Sequence, residues 1–145
     1  MIEEPARAAA LMGGSRILGR PVETIGDMRA AVEAGLPKAA LKRVVQSLIS
    51  DPRGQRALMH KLVPEPTLRR TGARLNLAGS ERTERLARIT ALAQLVWDDE
   101  TDAREFMTTP HPMLEGKTPA EMAVTDLGGR QVENILVSMI YGLPV

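Results

Sequence analysis

Two stretches of this sequence carry a complete helical stripe of apolar residues. Leu41, Val44, Val45, Leu48 and Ile49 recur at i, i+3, i+4, i+7 and i+8. Val132, Ile135, Leu136, Met139 and Ile140 repeat the same spacing near the other end. This spacing puts all five side chains on one face of an α-helix, and it would scatter them over both faces of a strand. The chain also supplies little of what a sheet draws on. Trp97, Phe106 and Tyr141 are its only aromatic residues, and it relies instead on Leu, Ala, Met, Arg and Glu. Hydrophobic residues make up 43% of the 145, enough for a real core, so a disordered chain is excluded as well. The expected fold class is all-α.

Punctuation divides the helices. Residues 1–21 hold Pro5, Gly13, Gly14, Gly19 and Pro21 and read as a mobile N-terminal arm with a helical stretch around Ala6–Met12. Thr24 to Asp27 can cap a helix that carries Ile25, Met28 and Val32, and Gly35 stops it. Pro37 suits the start of the next helix, and Asp51-Pro52 the start of a third, running to about His60. Pro64 and Pro66 break the chain before a short helix from Glu65 to about Leu75. Ser80 reads as the N-cap of a long helix ending near Trp97. Asp102 to Glu105 and Thr118 to Glu121 read as capping boxes, and Gly128-Gly129 lead into the last helix. The expected organisation is the arm at 1–21, one domain at 22–78 and a second at 79–145.

Catalytic signatures are missing. Cysteine is absent, so there is no disulfide framework and no thiol nucleophile. No apolar run approaches the ~20 residues of a membrane span. The acidic start precedes a short apolar stretch, the wrong order for a leader peptide, so the reading is a soluble, cytoplasmic protein. His60 and His111 lie far apart with no paired spacing for a metal. Gly116-Lys117-Thr118 ends like a phosphate loop, but His111 stands where that motif needs glycine. The run Asp98, Asp99, Glu100, Asp102 lacks the spacing of a calcium loop and reads as a solvated turn. No enzyme, metal site or bound cofactor is expected.

Charge is distributed unevenly. Residues 22–78 carry a net +5 and residues 79–145 a net −5, although the whole chain is only +1. Such a split suits two partners of opposite sign, or simply two solvated faces. The segment from Arg53 to Leu75 has the size of a helix-turn-helix, with Thr67, Arg69, Arg70 and Arg74 on its second helix. Arg69 and Arg70 point about 100° apart, so one can reach a base edge while the other holds phosphate. Lys42, Arg56 and Lys61 offer further phosphate contacts, alongside Lys38 and Arg53. Aromatic interleaving is absent from this half, which favours duplex over single-stranded DNA. All three aromatic residues fall in the acidic half. There Tyr141-Gly-Leu-Pro-Val145 reads either as a frayed end or as an apolar tail able to enter a partner's cleft.

From Pro64 to Val145 the sequence resembles the Xre/MbcA/ParS-type antitoxins, the partners of RES-domain toxins. The resemblance runs in order through Thr67-Leu-Arg-Arg70, Ser80-Glu-Arg, Arg85-Leu-Ala-Arg-Ile89, Ala91-Leu-Ala93, Trp97-Asp-Asp with Ala103, Met113-Leu-Glu-Gly116, Thr118-Pro119, Thr125-Asp-Leu-Gly128, and Val132-Glu133 through Ile140-Tyr-Gly142. Phe106-Met107 stands where the family often has Trp-Leu. Pro66 stands where an arginine is common, which removes one phosphate-binding side chain.

The resemblance implies an Xre/Cro-like helix-turn-helix bundle followed by a small helical toxin-binding domain. It implies a homodimer that binds operator double-stranded DNA and autoregulates its operon. It also implies a tight complex with a RES-domain toxin that consumes NAD or transfers ADP-ribose, whose NAD cleft the antitoxin's C-terminal region blocks. Carried over residue by residue, Tyr141, Gly142, Leu143, Pro144 and Val145 would do the blocking, supported by Trp97, Phe106, Met113 and Leu114. The alternative is a stand-alone helix-turn-helix regulator with no toxin.

Overall fold

The structure is a computed structural model, and it describes residues 5–142. Among the described residues there are nine α-helices and two 3₁₀ turns, with no strand. The helices are α1 (Pro5–Leu11), α2 (Gly14–Leu18), α3 (Ile25–Ala34), α4 (Lys38–Leu48), α5 (Pro52–Leu62), α6 (Glu65–Arg70), α7 (Leu77–Trp97), α8 (Glu100–Thr108) and α9 (Asp126–Ile140). The 3₁₀ turns span Pro112–Leu114 and Glu121–Val124. The all-α expectation is met.

α7 is the axis of the molecule. Over its 21 residues it packs against α1, α3, α4, α5, α8, α9 and the Glu121–Val124 turn. A helix covered on so many sides needs small residues to let its neighbours approach. α7 supplies Gly79, Ala87, Ala91 and Ala93, all buried, between Leu86, Ile89 and Leu92. Thr83 and Thr90 are buried without cost in unmet polarity. Each hydroxyl donates to the carbonyl four residues back, Gly79 at 2.8 Å and Leu86 at 2.7 Å.

The two apolar stripes behave as their spacing requires. Leu41, Val44, Val45 and Leu48 are buried on α4, and Val132, Ile135 and Leu136 on α9. The stripe of α9 fades at its end, where Ile140 is partly exposed.

Caps account for most helix starts. Thr24 and Asp27 form the reciprocal capping box at α3, and Asp51 accepts the Gly54 N–H at 2.7 Å to start α5. Ser80 is not the cap of α7: Asn76 is, accepting the Gly79 N–H at 2.8 Å. The Ser80 hydroxyl lies one turn inside the helix and accepts the buried Leu36 N–H at 2.9 Å. α8 likewise begins earlier than its sequence signal, with Asp99 accepting from Thr101 and Asp102. The Thr118–Glu121 box forms, but it opens only the 3₁₀ turn. Thr125 then caps α9, so Gly128 and Gly129 lie inside its first turn rather than before it. A side chain at Gly128 would collide with the Met122 carbonyl, which is why that position has none.

The linker between α3 and α4 is tied to the one between α6 and α7. Leu75 N–H donates to Leu36 O at 2.7 Å, and Lys38 N–H to Ala73 O at 3.0 Å. Gly35 has φ +96°, and a Cβ there would lie 2.9 Å from the Leu75 carbonyl. Only glycine meets both demands. α6 itself ends at Arg70, several residues before the expected limit, because the chain turns extended to make these bonds.

The N-terminal arm is a correction. Residues 5–18 form α1 and α2, and Ala8, Ala9, Met12 and Leu18 are buried against α7, α3 and α4. The glycines read as flexibility are there because Gly13, Gly14 and Gly19 all take positive φ in tight turns. Met12→Ala is expected to lower unfolding stability by about 2–5 kcal/mol, the range for a large buried side chain. Denaturant unfolding followed by circular dichroism measures it, and an unchanged midpoint would put these helices outside the core.

The basic and acidic halves of the chain are joined by an ion pair. Lys61 on α5 meets Glu121 at the 3₁₀ turn. The bond from Lys61, then the Thr118 N–H, hold the Glu121 carboxyl below its ordinary value of 4.5. A depressed carboxyl stabilises the fold at neutral pH and loses that contribution as pH falls through the folded value. Glu121→Gln should therefore be less stable than the parent at pH 7. The difference should close well below 4.5, as read from urea midpoints at the two pH values.

Candidate functional site

The basic end is built from α4, α5 and α6. α5 closes at Val63, and Pro64 and Pro66 fix the entry of α6. Leu68 packs inward on the core, which turns Arg69 and Arg70 outward into solvent. Arg69 touches Glu65 one turn earlier at 3.9 Å, with both side chains mostly exposed. Such a pair is worth little and lets go easily. Arg70 forms no ion pair among the described residues. Thr67 is half-buried on the same short helix, and Lys42 and Arg56 are exposed on α4 and α5.

Two of the residues expected at this surface also have structural work. The Arg74 guanidinium donates to the Gly35 carbonyl at 2.7 Å and pins the α3–α4 linker. Lys61 is held by Glu121. Neither partner is visible in the local sequence, since they lie 39 and 60 positions away.

The acidic end begins where α7 stops. Trp97 is 39% exposed, unusually open for the largest side chain in the protein. Its ring lies 6.1 Å from Phe106, and Phe106 lies 6.0 Å from His111, edge-on at 70°. These three rings line a groove of about 370 Å³ together with Asp102, Glu105, Thr109 and Pro110. His111 Nδ1 accepts the Met113 N–H at 3.0 Å, which orients the imidazole at the groove wall.

The other expected contacts divide. Met113 is 50% exposed and Tyr141 57%, both outside that groove. Leu114 is 1% exposed: it packs in the core and offers no surface for a partner. Gly142 ends the last helix with φ +66°, while Leu143, Pro144 and Val145 lie outside the described residues. Sequence reading missed His111 as a member of the aromatic row and Leu127 as an apolar residue in the open on α9. Neither carries a local signal, since both depend on how α8 and α9 sit against α7.

The two ends are braced against each other by α7. Arg82 donates to Leu62 O at 3.1 Å and Arg85 to Ala123 O at 2.9 Å. Gly129 leaves the room that the Arg85 stem occupies. Among the described residues no group of acidic, histidine or cysteine side chains can hold a metal, and no helix is long and apolar enough to cross a membrane.

Comparison with known proteins gives these ends their counterparts. Residues 27–88 match the antitoxin Xre-like helix-turn-helix domain. Residues 92–142 match the antitoxin Xre/MbcA/ParS C-terminal toxin-binding domain. The antitoxin Xre of Pseudomonas putida is 34% identical over 68 residues, 47% of this chain and 43% of that protein. This chain therefore spans under half the length of the curated relative it matches. The matched units are a helix-turn-helix domain and a toxin-binding domain, in keeping with a chain that is not an enzyme. With the helix-turn-helix and toxin-binding units following one another through α7, the chain belongs to the Xre/MbcA/ParS-type antitoxins.

Proposed function

We propose that this chain is the antitoxin of a toxin–antitoxin pair whose toxin is a RES-domain, NAD-consuming or ADP-ribosylating protein. The observation that supports it best is the order of the two matched units on one shared helix, each with an open surface of suitable chemistry. The acidic end inhibits by covering the toxin's NAD cleft. A cleft that binds the phosphates of NAD is cationic, and the net −5 of residues 79–145 complements it. Tyr141, exposed at the end of α9, leads the segment that enters the cleft, through Val145. Tyrosine suits this place because it brings large contact area at small entropic cost.

The basic end binds operator duplex in the cytoplasm as a homodimer and represses the chain's own operon. Arg69 and Arg70 read and hold the DNA, with Thr67, Lys42 and Arg56 around them. Arg74 and Lys61 support the fold of this end.

Co-expression with a RES-domain toxin tests the first part. A stable complex with NAD consumption suppressed is expected, and removal of residues 141–145 should restore NAD consumption while leaving DNA binding intact. Protection by the truncated chain would refute cleft entry by the tail, and no complex at all would leave a stand-alone regulator. Arg69→Ala with Arg70→Ala should weaken operator binding by about 1–3 kcal/mol for each base that an arginine reads, measured by fluorescence anisotropy at fixed salt. Toxin capture should be unchanged.

A further inference from the structure

We propose that the groove between α8 and the end of α7 is a receptor for an arginine side chain of the toxin, stacked on the exposed surface of the Trp97–Phe106 ring pair and held by Asp102 and Glu105. This rests on the reading of the acidic end as the toxin-binding surface.

The groove's chemistry selects its occupant. Asp102, Glu105 and Phe106 stand at i, i+3 and i+4 on α8, so carboxylates and ring share one face, and Thr109 follows as the C-cap. All four line the same cavity of about 370 Å³. That is room for one long side chain and its flanking backbone. Neither carboxylate forms an ion pair among the described residues. A guanidinium satisfies both features at once, because its flat face stacks on aromatic rings while its edge forks to a carboxylate. Lysine would keep the charge and lose the stacking and the fork. A nucleic-acid phosphate would be repelled by the two carboxylates. The occupant is assigned to the toxin because the groove, Trp97 to His111, lies wholly within the segment that matches the toxin-binding domain.

Trp97 is the only tryptophan in the chain, so its fluorescence reports on this groove alone. The full chain is titrated with the peptide acetyl-Gly-Arg-Gly-amide and with the same peptide carrying citrulline, the uncharged isostere. A saturable change is expected with arginine, and a response at least about tenfold weaker with citrulline or in the Asp102→Asn, Glu105→Gln double variant. Equal responses to the two peptides, or an unchanged response in a variant with the parent's circular dichroism, would overturn the proposal.

Capture of a RES-domain toxin separates this inference from the reading beneath it. If the parent captures the toxin and the double variant holds it equally well, the groove assignment fails and the antitoxin reading stands. If the parent captures none, the antitoxin reading fails and the assignment to the toxin fails with it, even where the peptide titration shows arginine selectivity. Concentration-dependent self-association abolished by the double variant would give the groove to a second copy of this chain and overturn the toxin assignment.

Discussion

Everything in this protein hangs on one helix being covered on nearly every side. α7 spans 21 residues, about 31 Å at the standard rise. Seven elements lie against it, and for α1, α3, α8 and α9 it is the most extensive partner. That demand explains its composition. A surface helix would show one apolar stripe with charges opposite. α7 shows small residues and bonded threonines between its large apolar ones. Its arginines reach past the neighbouring elements to take up carbonyls that those elements leave free at Leu62 and Ala123. These are among the last carbonyls of α5 and of a 3₁₀ turn, the groups that helix ends leave without partners.

The same helix separates the charges. Its first residues follow the linker that carries Arg74, and its last is Trp97 beside the acidic turn. The basic half therefore collects on α4, α5 and α6, and the acidic half on α8 and beyond. The sign change along the sequence becomes a difference between the surfaces these elements expose, although α4 packs on α8 and α5 on the Glu121–Val124 turn. The Lys61–Glu121 pair is the one place among the described residues where the two halves meet in an ion pair, and there the charges are used up in the fold.

Local pattern carried most of the helices but few of the roles. The stripes of α4 and α9 and the caps at Thr24, Asp51 and Thr118 were legible because their partners lie within one or two turns. Ser80 looked like a cap because serine before Glu81 and Glu84 usually is one. Its hydroxyl is taken by an N–H 44 positions away, which no local rule sees. Leu114 and Met113 are neighbours of similar character, and only the packing of the 3₁₀ turn decides that one is core and the other surface. The helix around Ala6–Met12 was legible, but its burial was not, for a related reason. α1 is seven residues of mostly alanine, too short to hold together alone and too bland to show a stripe. It is a helix because α7 gives Ala8, Ala9 and Met12 somewhere to go.

The matched units adjoin between residues 88 and 92, in the middle of α7, where Ile89, Thr90, Ala91 and Leu92 are all buried. A cut there would leave two unequal helical fragments, the longer only at the ~12–15 residues where an isolated helix is marginal in water and the shorter well below it. It would also open the one core that the two units share. α4 packs on α8 and α5 on the Glu121–Val124 turn, so each unit covers apolar surface of the other. Binding surfaces of opposite sign are thus carried by a body that folds as one. The basic end and the acidic end stay in fixed register because neither has a core of its own to fold around.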